Sequence, residues 1–176
     1  MFVGWGNYFF LVGSAAAALI GLMFIVVTLT AGRDRSELEP GKKLYTSPIV
    51  WHLGVVLLVS GGALAPDLPP RWFAALSAVI AAGGAIYSIR VAVGIVRAQL
   101  AENYSGFDMW WYGIAPAIAY CALGVSAAYL MNGRTAAVGG SAGSIMALLL
   151  ISIHNEWDLV TFLAPEATTG SQPGGE

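Results

Sequence analysis

The chain is predicted to be an all-α integral membrane protein of five transmembrane helices, with its N-terminus outside and its C-terminus in the cytoplasm. Three observations carry this. Of 176 residues, 57% are hydrophobic and 10% charged, and mean hydropathy is +0.72, whereas soluble domains carry about 25% charged residues. Five apolar runs, at 8–30, 48–64, 72–96, 110–130 and 138–162, each approach the ~20 residues that cross ~30 Å of hydrocarbon. The basic residues are sided: Arg33, Arg35, Lys42, Lys43, Arg90 and Arg97 fall on one side, Arg71 and Arg134 on the other. Six against two orients the first and third connections to the inside, which points to a bacterial inner membrane.

The first run follows MFVGWGNYFF, which lacks the basic start and the cleavage pattern of a signal peptide, so it reads as an uncleaved helix. Gly13, Ala17 and Gly21 recur every four residues along it, a spacing that lets backbones approach where lipid supplies no hydrophobic drive. The second run is the shortest. Ser47 and Pro48 predict its start, as an N-cap and a first-turn proline. Pro66, Pro69 and Pro70 make a stiff outer turn before the third run.

In the fourth run, Pro116 deletes a backbone donor and predicts a kink near Tyr112. Cys121 lies inside this run and, as the only cysteine, can form no intrachain disulfide. The fifth run opens on small residues, with Gly140, Gly143 and Ala147 at helical spacing, and ends in the polar sequence His154-Asn155-Glu156-Trp157-Asp158. Residues 1–163 thus form one membrane domain. Residues 164–176 have no apolar periodicity and are expected to be a disordered tail.

Ionisable residues within spans are costly and usually face protein or water. Under the predicted topology His52 lies just inside the cytoplasmic end of the second run and His154 within about two turns of that end of the fifth, so the two imidazoles are expected at one level. Arg90 reaches a similar depth from the third run, with Tyr87 and Arg97 on its face. The predicted site is a polar cluster of His52, Arg90, His154, Asn155, Glu156 and Asp158, acting as pathway or gating groups. Its bland counterpart is an arginine that anchors the interface and pairs with Glu156 or Asp158.

Several chemistries meet this spacing. A proton or ion path uses polar groups converging at one depth, and histidine beside carboxylates suits proton relay; five short spans enclose little volume, so a homo-oligomer is expected. An accessory or assembly subunit of a larger membrane complex, docking through the small-residue faces, is the alternative. A second alternative is a b-type haem between His52 and His154, which requires two imidazoles facing each other at matched depth.

Other chemistries fit poorly. A zinc hydrolase needs three protein ligands, and His52 and His154 with one carboxylate are all the chain could offer, so no metal site is expected. Gly139, Ser141 and Gly143 spell G-x-S-x-G, but Ser141 is thirteen residues from His154 on one helix, about 20 Å. No base reaches it, and no catalytic residue is assigned. The net charge of −2 offers nothing to nucleic acid.

Overall fold

A computed structural model describes the backbone of residues 2, 4–30, 35–99 and 109–163, and the side chains of 2, 4–28, 48–97 and 109–161. The tail 164–176 and the side chains of Arg33, Arg35, Lys42 and Lys43 lie outside the described residues. The described chain is helical, without strands: α1 is Gly6–Thr30, α2 Arg35–Leu64 and α3 Pro70–Gln99. A π-helical turn, Trp110–Ile114, leads into α4, Ala115–Met131; a short 3₁₀ turn, Thr135–Ala137, leads into α5, Val138–Leu163.

Four segments are long and apolar enough to cross a membrane: Gly6–Thr28, Pro70–Arg97, Trp110–Met131 and Thr135–Thr161. The apolar part of α2, Pro48–Leu64, is shorter, about 25 Å at 1.5 Å per residue. Large side chains such as Phe10, Phe24, Leu58, Val79, Ile118, Val125 and Leu150 point outward. On a water-soluble protein such apolar surface would be an aggregation liability; it is compatible with a bundle whose surroundings are lipid.

One boundary differs from expectation. α2 does not begin at Pro48 but thirteen residues earlier, at Arg35, and runs through both Pro40 and Pro48. Ser47 is therefore inside a helix and not its cap. A proline removes one intrahelical bond and bends the axis without ending the helix when the flanking turns continue.

Small residues set the helix contacts. α3 and α4 pack antiparallel along a ladder of glycine against a neighbour. An added Cβ at Gly84 would overlap the Tyr120 ring, one at Gly113 would lie 2.7 Å from the Ala92 Cβ, and one at Gly124 would meet Ala81 at 3.5 Å. Gly13 sits against Ser60 of α2 and Gly140 against Ser126 of α4. These two members of the small-residue stripes do pack on protein, whereas Ala17, Gly21 and Gly143 are exposed. α5 touches α1, α2 and α4. Half of its spanning window is buried against 22% for α1, which makes α5 the central helix.

The turns before α3 and after α4 close tightly. Pro70 is the first residue of α3, where its missing N–H costs nothing. α4 ends with Arg134 N–H donating to Tyr129 O and Gly133 N–H to Leu130 O, the paired bonds of a Schellman cap. Gly133 has φ +76°, which a side chain would resist.

Candidate functional site

Two polar centres occupy the bundle interior. The first is built around His52, on the inward face of α2 with Leu53, Val56 and Val59, and fully buried. Its Nδ1 lies 2.8 Å from the Tyr120 hydroxyl of α4. The Tyr120 ring is 5.6 Å from the imidazole and the Tyr87 ring of α3 is 6.4 Å away, edge-on. The Tyr120 ring can lie there because Gly84 has no side chain to displace it. Trp51, exposed at the neighbouring position, has its ring 5.4 Å from that of Tyr87, tilted by 36°.

The second centre joins α5 to the start of α4. His154 lies 4.0 Å from the Trp111 ring, centroid to centroid, and 3.4 Å from the Asp158 carboxylate one turn on. Thr161, on the same face, spends its hydroxyl on the carbonyls of Trp157 and Asp158. Asn155 is fully buried. Its Nδ2 donates to Trp111 O at 3.2 Å, and the Tyr112 hydroxyl donates to Asn155 O at 3.2 Å.

A π turn immediately precedes Pro116, where a kink is expected, and Asn155 donates to a carbonyl within that turn. In the turn, Ala115 N–H donates to Trp110 O, five residues back. Continuing that pattern would require residue 116 to donate to Trp111 O, but residue 116 is proline and has no N–H. At that point the Asn155 side chain donates to Trp111 O. Such π turns are widened points that often occur at functional sites.

The predicted cluster is therefore divided. His154, Asn155, Glu156 and Asp158 share the C-terminal end of α5, and His154 meets Asp158 as their spacing implied. His52 has different partners: with α2 beginning at Arg35 it is not near a helix start. The two imidazoles are held by Tyr120 of α4 and Trp111 of the π turn before it, nine positions apart in the chain.

Arg90 is exposed and makes no ion pair among the described residues, so it does not join the carboxylates. It lies beyond the buried line Gly84, Ser88, Val91 and Ile95 of α3. Ser141 is fully buried at the far end of α5 from His154. Among the described residues no three His, Cys, Asp or Glu side chains converge as metal ligands. Cys121 is exposed on the outer side of α4.

Tyr120, Tyr87, Trp111 and Tyr112 were not among the predicted site residues. Aromatic residues in a span read as core or interface. Only the pairing of Gly84 with Tyr120, set by the α3–α4 register, separates this ring from any other.

Several buried polar atoms have no hydrogen-bond partner among the described residues: His52 Nε2, Asn155 Oδ1, Glu156 Oε2 and the hydroxyls of Ser60, Ser77, Ser88 and Ser141. The serines can turn back onto their own helix carbonyls. The other three have no such recourse. Compared with known proteins, the chain matches no family model, no curated protein and no solved structure.

Proposed function

We propose that the protein is a five-span bacterial inner-membrane protein, N-terminus outside and C-terminus inside, that forms a homo-oligomeric proton or ion pathway through a hydrated polar interior. In this reading Pro48–Leu64 completes the fifth crossing, with the polar first half of α2 at the cytoplasmic surface. The observation that carries it is the set of unpartnered buried atoms His52 Nε2, Asn155 Oδ1 and Glu156 Oε2. Each would cost about 1–3 kcal/mol if left dry. Together that is about 3–9 kcal/mol, comparable with the roughly 5–15 kcal/mol that holds a whole domain folded. Water reaching these atoms removes the cost, and the same water conducts.

Glu156, His154 and Asp158 form the inner mouth of this pathway, and His52 lines it deeper in the bundle. Purified protein in vesicles loaded with a pH-sensitive dye is expected to dissipate an imposed proton or ion gradient. The combined His154→Ala and Asp158→Ala change, or Glu156→Gln, is expected to abolish or re-tune that flux. A parent protein without flux, or variants with unaltered flux, would sink the reading.

Exposed glycines support a second reading, an accessory subunit of a larger complex. Gly21, Gly54, Gly61 and Gly143 have open space beyond them, where another backbone can approach closely. That role forecasts a stoichiometric membrane partner on purification and no flux by the chain alone.

A further inference from the structure

We propose that the exposed face of α3 at Arg90 and Arg97 binds the phosphate of an anionic phospholipid, whose acyl chain lies along the low surface between α3 and α2. The proposal rests on the membrane placement given above and not on conduction.

The four arginines whose side chains are described fall into two kinds. Arg71 lies over the Trp72 ring at 6.0 Å and Arg134 over the Tyr129 ring at 5.4 Å. Arg90 and Arg97 are exposed and have neither a ring nor a carboxylate partner among the described residues. The described carboxylates are elsewhere. Asp67 is in the turn before α3, at the opposite end of that helix, and Glu156 and Asp158 are on α5, with Asp158 beside His154.

The face that carries the two arginines is apolar. Arg90 stands four residues after Ile86 and three before Val93, and Arg97 four after Val93, a spacing that lines all of them up on one side of the helix. Ile86 and Val93 are exposed, as is Val79 further along the same stripe. A guanidinium on a lipid-facing stripe is costly unless it meets water or an anion.

Depth selects the anion. Trp72 is exposed near the start of α3, and the eighteen residues from it to Arg90 span about 27 Å at 1.5 Å per residue, close to the ~30 Å of hydrocarbon. A second aromatic marks the same level. Trp51 of α2 is exposed, and its ring is 5.4 Å from that of Tyr87, one turn before Arg90; exposed indoles gather where hydrocarbon meets headgroups. Arg90 therefore stands at the headgroup layer, with Arg97 two turns further out. Long side chains let both charged ends reach a single group between them. The planar guanidinium matches phosphate oxygens with paired N–H donors, and basic sites at this depth between spans suit anionic headgroups.

The surface beyond the aromatic pair, toward the turn between α2 and α3, is low. Gly54, one turn from Trp51, and Gly83, one turn from Tyr87, are both exposed, and an added Cβ at either meets nothing within 4 Å. A chain hanging from a phosphate at Arg90 passes over them.

The test is native mass spectrometry of the full-length protein in detergent micelles, titrated with phosphatidylglycerol or with phosphatidylcholine. The first phosphatidylglycerol is expected to bind more tightly than the first phosphatidylcholine. The combined Arg90→Gln and Arg97→Gln change should weaken that step by at least about tenfold, the loss of charge-assisted hydrogen bonds. Arg134→Gln, which removes the same charge at the other end of the bundle, should leave it unaltered, as should added inorganic phosphate. Equal binding of the two lipids, a preference that survives the double substitution, or one that falls as far with Arg134→Gln would overturn the proposal. Displacement by inorganic phosphate would assign the face to a free anion and overturn the lipid. A protein that does not sediment with the membranes of the expressing cell would retire the membrane placement as well, whereas one that binds the lipid and conducts nothing would retire conduction alone and support this site.

Discussion

Gly84→Ala is expected to destabilise the protein by about 2–4 kcal/mol, although alanine is the better helix former by about 1 kcal/mol. The added methyl would occupy the space of the Tyr120 ring, overlapping three of its carbons along one edge. Overpacking of this kind costs about 1–3 kcal/mol. The ring cannot yield cheaply, because its hydroxyl is tied to His52. Swinging it aside strands a buried hydroxyl and a buried imidazole nitrogen, at about 1–3 kcal/mol.

Gly83→Ala is the control. Residue 83 is exposed, and an added Cβ there meets nothing within 4 Å. It should be neutral or slightly stabilising. Unfolding in mixed micelles, followed by circular dichroism, measures both; equal effects at the two positions would mean that the α3–α4 register is not the one described.

Asn155→Ala is expected to cost about 1–3 kcal/mol, the loss of a buried side-chain amide and its hydrogen bond to the Trp111 carbonyl. The informative measurement is the same substitution in a Pro116→Ala background. Alanine at 116 restores a backbone N–H, so α4 can close its own hydrogen bonds through Trp111 and Tyr112. In that background the cost of Asn155→Ala should fall below about 1 kcal/mol, a coupling within the range seen for residues in one network. Equal costs in both backgrounds would show that Asn155 does not compensate for the proline. Because the π turn carries Trp111, whose ring lies against His154, loss of Asn155 should also loosen the polar centre around His154. A flux change in Asn155→Ala that Pro116→Ala reverses would tie the turn to the pathway.

Much of the architecture was legible in the residues. Apolar runs of spanning length predict helices because only helices and closed barrels pair all their backbone groups in lipid and these runs lack the alternation of barrel strands, and four of the five runs reappear within a few residues of their expected ends. Pro116 marked the irregular turn, and the four-residue spacing of His154 and Asp158 marked their contact. The start of α2 was misread because Ser47 and Pro48 form a good helix start locally, while the chain before them continues the helix.

What the sequence by itself determined is the composition of each helix: which runs are greasy enough to span, where the prolines interrupt, and which polar residues one helix carries on one face. These follow from periodicity and from backbone chemistry within a few turns. What only the tertiary structure decided is which faces meet. The depth argument joined His52 to His154 and Arg90, but rotation about each helix axis is set by packing. Gly84 and Gly113 draw α3 against α4, and that register delivers Tyr120 to His52 while leaving Arg90 outside. Asn155 is the same lesson in miniature: its side chain meets a carbonyl forty-four residues away in the chain, in the turn that precedes a proline on another helix.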